Sequence, residues 1–172
     1  MKTFIEQARC YALHHQNPKT QQTHWIGIPL ITFSLMILLG CVKIVIPGIF
    51  QTTLACIATL VVLIYYFRLH WLLALAITPI FLLLLWLASW LTSNGPNTLA
   101  SWLFVITFVS GWTLQLYGHY ISHEKPAFMN QFSQTLIAPL YLMAEVFFMG
   151  GFLTSLKAQI HGEVVTEPND NV

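Results

Sequence analysis

The feature that most constrains the fold of this sequence is a long apolar run without a charged residue, WLLALAITPIFLLLLWLASWL, between Trp71 and Leu91. A helix needs about 20 consecutive apolar residues to cross the hydrocarbon core of a bilayer. A run of that length is too apolar for the surface of a small soluble domain and too long for its core. It therefore predicts a membrane-spanning helix.

Four further runs of similar character predict that the chain crosses the membrane several times. With Trp71 to Leu91 as the third, the predicted spans are Trp25 to Val42, Thr52 to Phe67, Leu99 to Tyr117 and Leu136 to Leu156. Only 8% of the 172 residues are charged and 56% are hydrophobic, whereas soluble domains carry about 25% charged residues. We therefore expect an all-α, polytopic membrane helix bundle of about five transmembrane helices, preceded by a short amphipathic N-terminal helix. Residues 1–160 are predicted to form one transmembrane domain, and residues 161–172 a polar, disordered tail.

The distribution of positive charges predicts the orientation of these helices. Short cytoplasmic loops are enriched in Lys and Arg. A cytoplasmic N-terminus places five of the seven basic residues inside, namely Lys2, Arg9, Lys19, Arg68 and Lys125. The sequence thus predicts a multi-pass integral protein of a bacterial inner membrane or the endoplasmic reticulum. Four crossings then separate the segment before the first span from the segment after the fourth, so both face the cytoplasm.

The composition also excludes some classes of function. A net charge of +1 without a basic cluster lacks the electrostatic footprint of nucleic-acid binding. The cysteines Cys10, Cys41 and Cys56 show no CxxC spacing, so neither a disulfide framework nor a thiolate metal site is expected.

Four of the seven histidines lie in the two segments that are predicted to share the cytoplasmic face. His15 and His24 precede the first span, and His119 and His123 follow the fourth. On a continuous helix, His119 and His123 stand four residues apart on one face, within reach of a common ion. Imidazole nitrogen suits zinc, copper, iron and nickel, so these four residues are candidate metal ligands. The alternative is that they are ordinary interfacial side chains, which is the interpretation we give His14, His70 and His161.

Two carboxylates are candidates for the chemistry of such a site. Glu145 lies well inside the fifth predicted span, where a carboxyl costs several kcal/mol unless it is paired or protonated. It is a candidate catalytic residue that orients a histidine or binds the metal, or else it hydrogen-bonds a Tyr or Trp of a neighbouring helix. Glu124, next to His123, is a second candidate, either completing a two-histidine, one-carboxylate iron site or pairing with Lys125 at the surface.

These motifs, in their order and spacing, resemble a known family. HHQNPKTQQTHWIGIP, GHYISHEKPAF and APLYLMAE are similar to segments of the small membrane 2-hydroxy fatty acid dioxygenases, and the similarity extends from Tyr11 to about Glu145. The resemblance implies an iron(II)-dependent enzyme that uses O2 to shorten 2-hydroxy fatty acids by one carbon within the lipid membrane. It also implies that His15, His24, His119 and His123 are the iron ligands. Thr20 stands where members of the family often have Asn, and His123 stands about where they have an acidic residue, so His123 and Glu124 compete for one role.

A function of another class remains open from the residues alone. A non-enzymatic transporter subunit or assembly factor can use histidines and Glu145 as a proton relay. Other membrane enzymes fit less well, because a di-iron hydroxylase needs about eight clustered histidines and a zinc intramembrane hydrolase needs an HExxH motif, which is absent from the sequence.

Overall fold

A computed structural model describes residues 3–13, 17–48, 50–122 and 133–162. This part of the chain is predominantly helical, as the sequence predicts. In chain order, the helices are α1 (Phe4–Leu13), α2 (Pro18–Gly40), α3 (Leu54–Leu69), α4 (Trp71–Leu91), α5 (Thr98–Ser122), α6 (Ser133–Met149) and α7 (Thr154–His161).

Three of these helices are long and apolar enough to cross a membrane. Their spanning segments are Lys19–Gly40, Trp71–Leu91 and Thr98–Ile121, in α2, α4 and α5. The apolar helices α3 and α6, which correspond to the second and fifth predicted spans, are shorter. The third predicted span coincides with α4 residue for residue. The segment SNGPN separates α4 from α5, and the Asn97 side chain caps the new helix by accepting from the Ala100 N–H at 2.9 Å.

The link between α2 and α3 contains a small β-hairpin that the all-α prediction did not include. Strands β1 (Lys43–Ile46) and β2 (Phe50–Thr53) pair in antiparallel register, with Lys43 opposite Thr53. The reversal uses Pro47 and Gly48, and Gly48 has a φ of +76°, which an L side chain rarely adopts. Pro47 and Gly48, which lie between the first two predicted spans, are therefore part of a hairpin turn.

The fifth predicted span is wrong beyond Met149. Helix α6 ends there, and α7 begins at Thr154. Gly151 and Leu153 both have positive φ values, +75° and +53°, so the chain leaves the α-helical region twice within three residues. The Gly150-Gly151 pair, which lies within the fifth predicted span, is part of this break.

Helix α1 packs against one end of the bundle. Its buried residues follow helical spacing, and they are Phe4, Gln7, Ala8, Tyr11 and Ala12. Glu6 and Arg9 lie on the opposite, exposed side. The Tyr65 hydroxyl donates to Gln7 Oε1 at 2.9 Å, and the Phe4 and His70 rings lie 5.6 Å apart, which attaches α1 to the end of α3. Arg9 donates from Nε to the Gln159 carbonyl oxygen at 3.2 Å, which connects α1 to α7.

Candidate active site

Among the described helices, α2 and α5 make the most extensive contact, and glycines permit their close approach. A Cβ added to Gly111 would lie 2.7 Å from Ile31 Cγ1, and one added to Gly27 would lie 3.0 Å from the Gly111 carbonyl oxygen. A Cβ at Gly118 would collide with Thr23 Oγ1. Small residues let helix backbones approach closely in membranes. Only glycine fits these three positions without displacing a neighbour.

This crossing brings together two of the predicted metal ligands. The imidazoles of His24, from α2, and His119, from α5, lie with ring centres 5.0 Å apart and planes at 83°. Both side chains are buried, with exposed fractions of 3% and 6%. His15, His123 and Glu124 lie outside the described residues, as does His14. Among the residues that the structure describes, no group of three or more His, Cys, Asp or Glu side chains is close enough to hold a metal ion.

Thr20 makes hydrogen bonds at both histidines of the pair, to His24 itself and to the residue before His119. Its hydroxyl is fully buried and donates to the Gly118 carbonyl oxygen at 2.9 Å, next to His119. Its own carbonyl oxygen lies 2.8 Å from His24 Nδ1. Because a carbonyl can only accept, Nδ1 carries the proton in this bond, and Nε2 of His24 is the nitrogen with a lone pair. A metal-bound histidine usually donates its other ring N–H to an acceptor such as a backbone carbonyl, which orients the imidazole in this way.

The histidine pair lies at one end of an apolar cavity with a volume of about 260 Å³. Along α2 the lining extends from His24 to Leu39, the last lining residue of that helix. Along α5 it comprises Trp112, Gln115 and His119, which share one helix face. Helix α3 and the first half of α6 supply most of the remaining wall, and Phe81 of α4 contributes to it. The cavity therefore has imidazoles at one end and hydrocarbon along its length.

Tyr11 of α1 also lines this cavity and is 5% exposed. Burial raises the pKa of Tyr11 well above its ordinary value of 10, so the phenol stays protonated. A neutral phenol can donate a hydrogen bond to an acidic ligand. The Tyr11 ring packs on Tyr141 of α6, with ring centres 4.7 Å apart.

Glu145 lies in a different polar cluster and is not among the cavity-lining residues. Its Oε1 accepts from the Tyr141 hydroxyl at 2.5 Å, and His161 Nε2 lies 3.5 Å away. The tyrosine partner is thus one turn back on the same helix, rather than on a neighbouring helix. His161, predicted to begin a disordered tail, is the last residue of α7 and contacts Glu145.

Sequence reasoning missed several parts of this site, although some signals were present. Gly111 and Gly118 are seven residues apart, a spacing that places both on one face of α5. Gln115, four residues before His119, is a polar residue on that same face within a predicted span. Thr20 was noted only as a difference from the family pattern, because the hydrogen bond of its hydroxyl to the Gly118 carbonyl oxygen depends on how α2 and α5 cross.

The fold and the site together define a helical protein whose longest helices are candidate membrane spans and whose buried imidazoles face an apolar cavity. The family model described as "2-hydroxy-palmitic acid dioxygenase Mpo1-like" matches residues 1–150. The 2-hydroxy-palmitic acid dioxygenase MPO1 of Saccharomyces cerevisiae is 31% identical over 157 residues, covering 90% of this chain and 85% of the yeast protein. This chain therefore belongs to the Mpo1-like family, as its motifs predict. No solved structure matches it.

Proposed function

We propose that this protein is an iron(II)-dependent dioxygenase that α-oxidises 2-hydroxy fatty acids to products one carbon shorter. The observation that carries the proposal is the convergence of His24 and His119 at one end of an apolar cavity, in a chain of the Mpo1-like family. The name of the yeast relative supplies the substrate class. The cavity supplies a place for a chain of hydrocarbon.

The chemistry and spacing of the histidine pair fit a metal ion. Two imidazoles that bind one ion through nitrogens at about 2.0–2.1 Å have ring centres roughly 4.5–5.2 Å apart. The observed 5.0 Å lies in this range, although an edge-to-face contact between two imidazoles has the same separation. We propose that His15 and His123 complete the ligand set, with Glu124 as the alternative to His123. Bound iron(II) would supply the redox chemistry that amino-acid side chains lack.

The residues around the pair can bind and orient a 2-hydroxy acid. One 2-hydroxy acid and one O2 give the acid one carbon shorter, carbon dioxide and water, so the reaction balances without a further reductant. The carboxylate and hydroxyl would lie at the histidine end, and the protonated Tyr11 phenol is a hydrogen-bond donor in the wall of the same cavity. The acyl chain would lie in the apolar part. The burial of the histidine end would exclude water from the reacting carbons, C1 and C2.

A five-span topology with a cytoplasmic N-terminus agrees with these positions. Helices α3 and α6 are roughly 24–26 Å long at 1.5 Å per residue, slightly less than the ~30 Å hydrocarbon core. Local thinning of the bilayer accommodates short spans at modest cost. The one-sided burial of α1 favours an amphipathic helix at the interface. The catalytic end of the cavity would then lie at the cytoplasmic face.

We propose that Glu145 is a positioning residue for this reaction. It holds the hydroxyl of Tyr141, whose ring packs on Tyr11 at the cavity wall. The contact between Glu145 and His161 is the one observation that favours the other candidate function, a proton relay in a non-enzymatic membrane protein. Replacement of His161 separates the two, since a relay would lose proton transfer while the dioxygenase would retain turnover.

The proposal is tested by incubating the purified protein in detergent with iron(II), O2 and 2-hydroxypalmitate. We expect a product one carbon shorter, release of carbon dioxide and loss of both on chelation. Palmitate without the hydroxyl serves as the matched control and should not be shortened. Absence of a shortened product from the iron-loaded protein contradicts the proposal.

A further inference from the structure

The side chains of α3 that line the cavity differ in size along its length. The lining residues Ala55, Ala58, Thr59, Val62 and Tyr66 follow helical spacing, so they form one face of α3. Tyr66 lies toward the histidine end, since its hydroxyl donates to the Leu136 carbonyl oxygen of α6 at 2.7 Å. Ala55 and Ala58 lie toward the other end, beside the start of α3. The half of the cavity away from the histidines thus owes its space to small side chains.

We infer that these small side chains set the length of the acyl chain that the protein accepts. The inference rests on the proposed function, because that function identifies the occupant of the cavity as a 2-hydroxy fatty acid. The head group would be held at the histidine pair, so each added methylene would extend the chain toward Ala58, Ala55 and Leu39.

The dimensions of the cavity suit such a chain. Helix α2 rises about 22 Å from His24 to Leu39 at 1.5 Å per residue. One leaflet of a bilayer, which a single acyl chain spans, is about half of the ~30 Å hydrocarbon core. The lining is therefore long enough for an extended membrane fatty acid. The lining at its far end is buried, since Met36 and Ala55 are only 5% and 1% exposed.

Two apolar residues that line the cavity are also exposed at the surface of the helices. Leu35 of α2 and Leu136 of α6 both line the cavity and are 42% and 39% exposed. These apolar side chains would face lipid in the proposed topology. A hydrophobic substrate can then enter from the bilayer without passing through water.

Three variants test the inference. Ala58→Phe fills the cavity on the α3 side, whereas Leu39→Ala enlarges its far end. Ile57→Phe is the matched control, because Ile57 neighbours Ala58 on α3, is 40% exposed and does not line the cavity. Each variant is tested with the series from 2-hydroxydecanoate to 2-hydroxyicosanoate. Binding of the corresponding fatty acids without the hydroxyl is measured in parallel by displacement of a fluorescent fatty acid.

We expect Ala58→Phe to bind and turn over the longest chains at least about tenfold less well, because a methylene that loses its apolar contact costs roughly fourfold in affinity. The shortest chains should be unaffected. Leu39→Ala should shift the preference toward longer chains, and Ile57→Phe should keep the wild-type profile. If Ala58→Phe does not fold, Leu39→Ala against the wild type still decides the outcome.

Identical chain-length profiles in the wild type and in every folded cavity variant would overturn the inference. A wild-type protein that turns over no 2-hydroxy acid contradicts the proposed function instead. In that case, the displacement assay still decides whether the cavity selects chain length. The two failures are therefore distinguishable.

Discussion

Two polar clusters among the described residues contain histidines, but they differ in what their side chains contact. In the α2–α5 crossing, the backbone of Thr20 orients His24, glycines allow the helices to meet, and the imidazoles face a cavity. In the Glu145 cluster, formed by Tyr141, Glu145 and His161, the side chains contact one another and do not line the cavity beside the histidine pair. Polar residues in an apolar span thus mark either a site or a local stabilising cluster. Which of the two they mark depends on whether their side chains face a cavity.

The largest effect is expected from replacing the histidines of the crossing. His24→Ala and His119→Ala should each lower dioxygenase turnover by at least about a hundredfold. Loss of a residue that only hydrogen-bonds a metal ligand costs up to about a hundredfold, and loss of a ligand itself should cost no less. His161→Ala, in the Glu145 cluster, should retain most of the turnover. Product formation from 2-hydroxypalmitate checks both. Equal turnover in His119→Ala and His161→Ala would contradict the distinction between the two clusters.

The glycine contact should have the next largest effect. Gly118→Ala places a methyl group against Thr23 Oγ1 and should move the helices apart, at a cost of about 1–3 kcal/mol for overpacking. Turnover should fall because the two imidazoles separate. The other neighbours of the added methyl are at ordinary contact distances of 3.4 Å.

A second substitution makes this prediction specific. Thr23→Ala removes the colliding oxygen, so the double variant Thr23→Ala/Gly118→Ala should recover much of the lost turnover and thermal stability. A double-mutant cycle measures this coupling. Additive losses in the double variant would show that the close approach at Gly118 does not position the site.

Smaller effects are expected at Glu145. Glu145→Gln keeps an acceptor for the Tyr141 hydroxyl and should reduce turnover only slightly. Glu145→Leu leaves the hydroxyl of the buried Tyr141 without its acceptor, at a cost of about 1–3 kcal/mol, and should lower turnover severalfold by loosening the Tyr141–Tyr11 contact. Thermal unfolding and the KM and kcat values for 2-hydroxypalmitate check the pair. If both variants lose turnover equally, the charge of Glu145 matters directly, contrary to a positioning role.

The smallest predicted effect concerns pH at the junction of α3 and α4. His70 Nδ1 accepts from the Leu73 N–H at 3.4 Å, which requires the neutral ring, and burial lowers the pKa of His70 below 6.5. The unfolded chain therefore binds this proton more readily than the folded protein. The stabilisation is fully present above about pH 6.5 and declines as the pH falls through the folded pKa.

His70→Asn keeps an N-cap acceptor without a titrating group. Its thermal unfolding in detergent should depend less on pH between about 5 and 7, the range in which histidine charges. A pH dependence equal to that of the wild type would exclude His70 as its source.

Much of this architecture could be predicted from the sequence because the apolar runs impose it. Trp71 to Leu91 was predicted to the residue, since composition and length alone define such a helix. The break after Met149 was not predicted, because Gly150-Gly151 is compatible with both a helix contact and a helix end. The hairpin between α2 and α3 depends on pairing across a turn, which hydropathy does not detect.

The site, too, could be predicted only in part. Charge bias and an even crossing number placed His24 and His119 at one face, and the structure brings them together. The cavity could not be predicted, since its walls combine small residues of α3 with residues of α2, α5 and α6 that are distant in sequence. Glu145 was singled out for its depth in the membrane, but depth alone does not determine which group it contacts.

The central claim, that His24 and His119 bind one metal ion together, is tested most directly by titrating cobalt(II), a spectroscopic substitute for iron(II), into the apoprotein. The account predicts stoichiometric binding with ligand-field absorption in the wild type and in His161→Ala. It predicts loss of that absorption in both His24→Ala and His119→Ala. Unchanged binding and absorption in either of these two variants would contradict it.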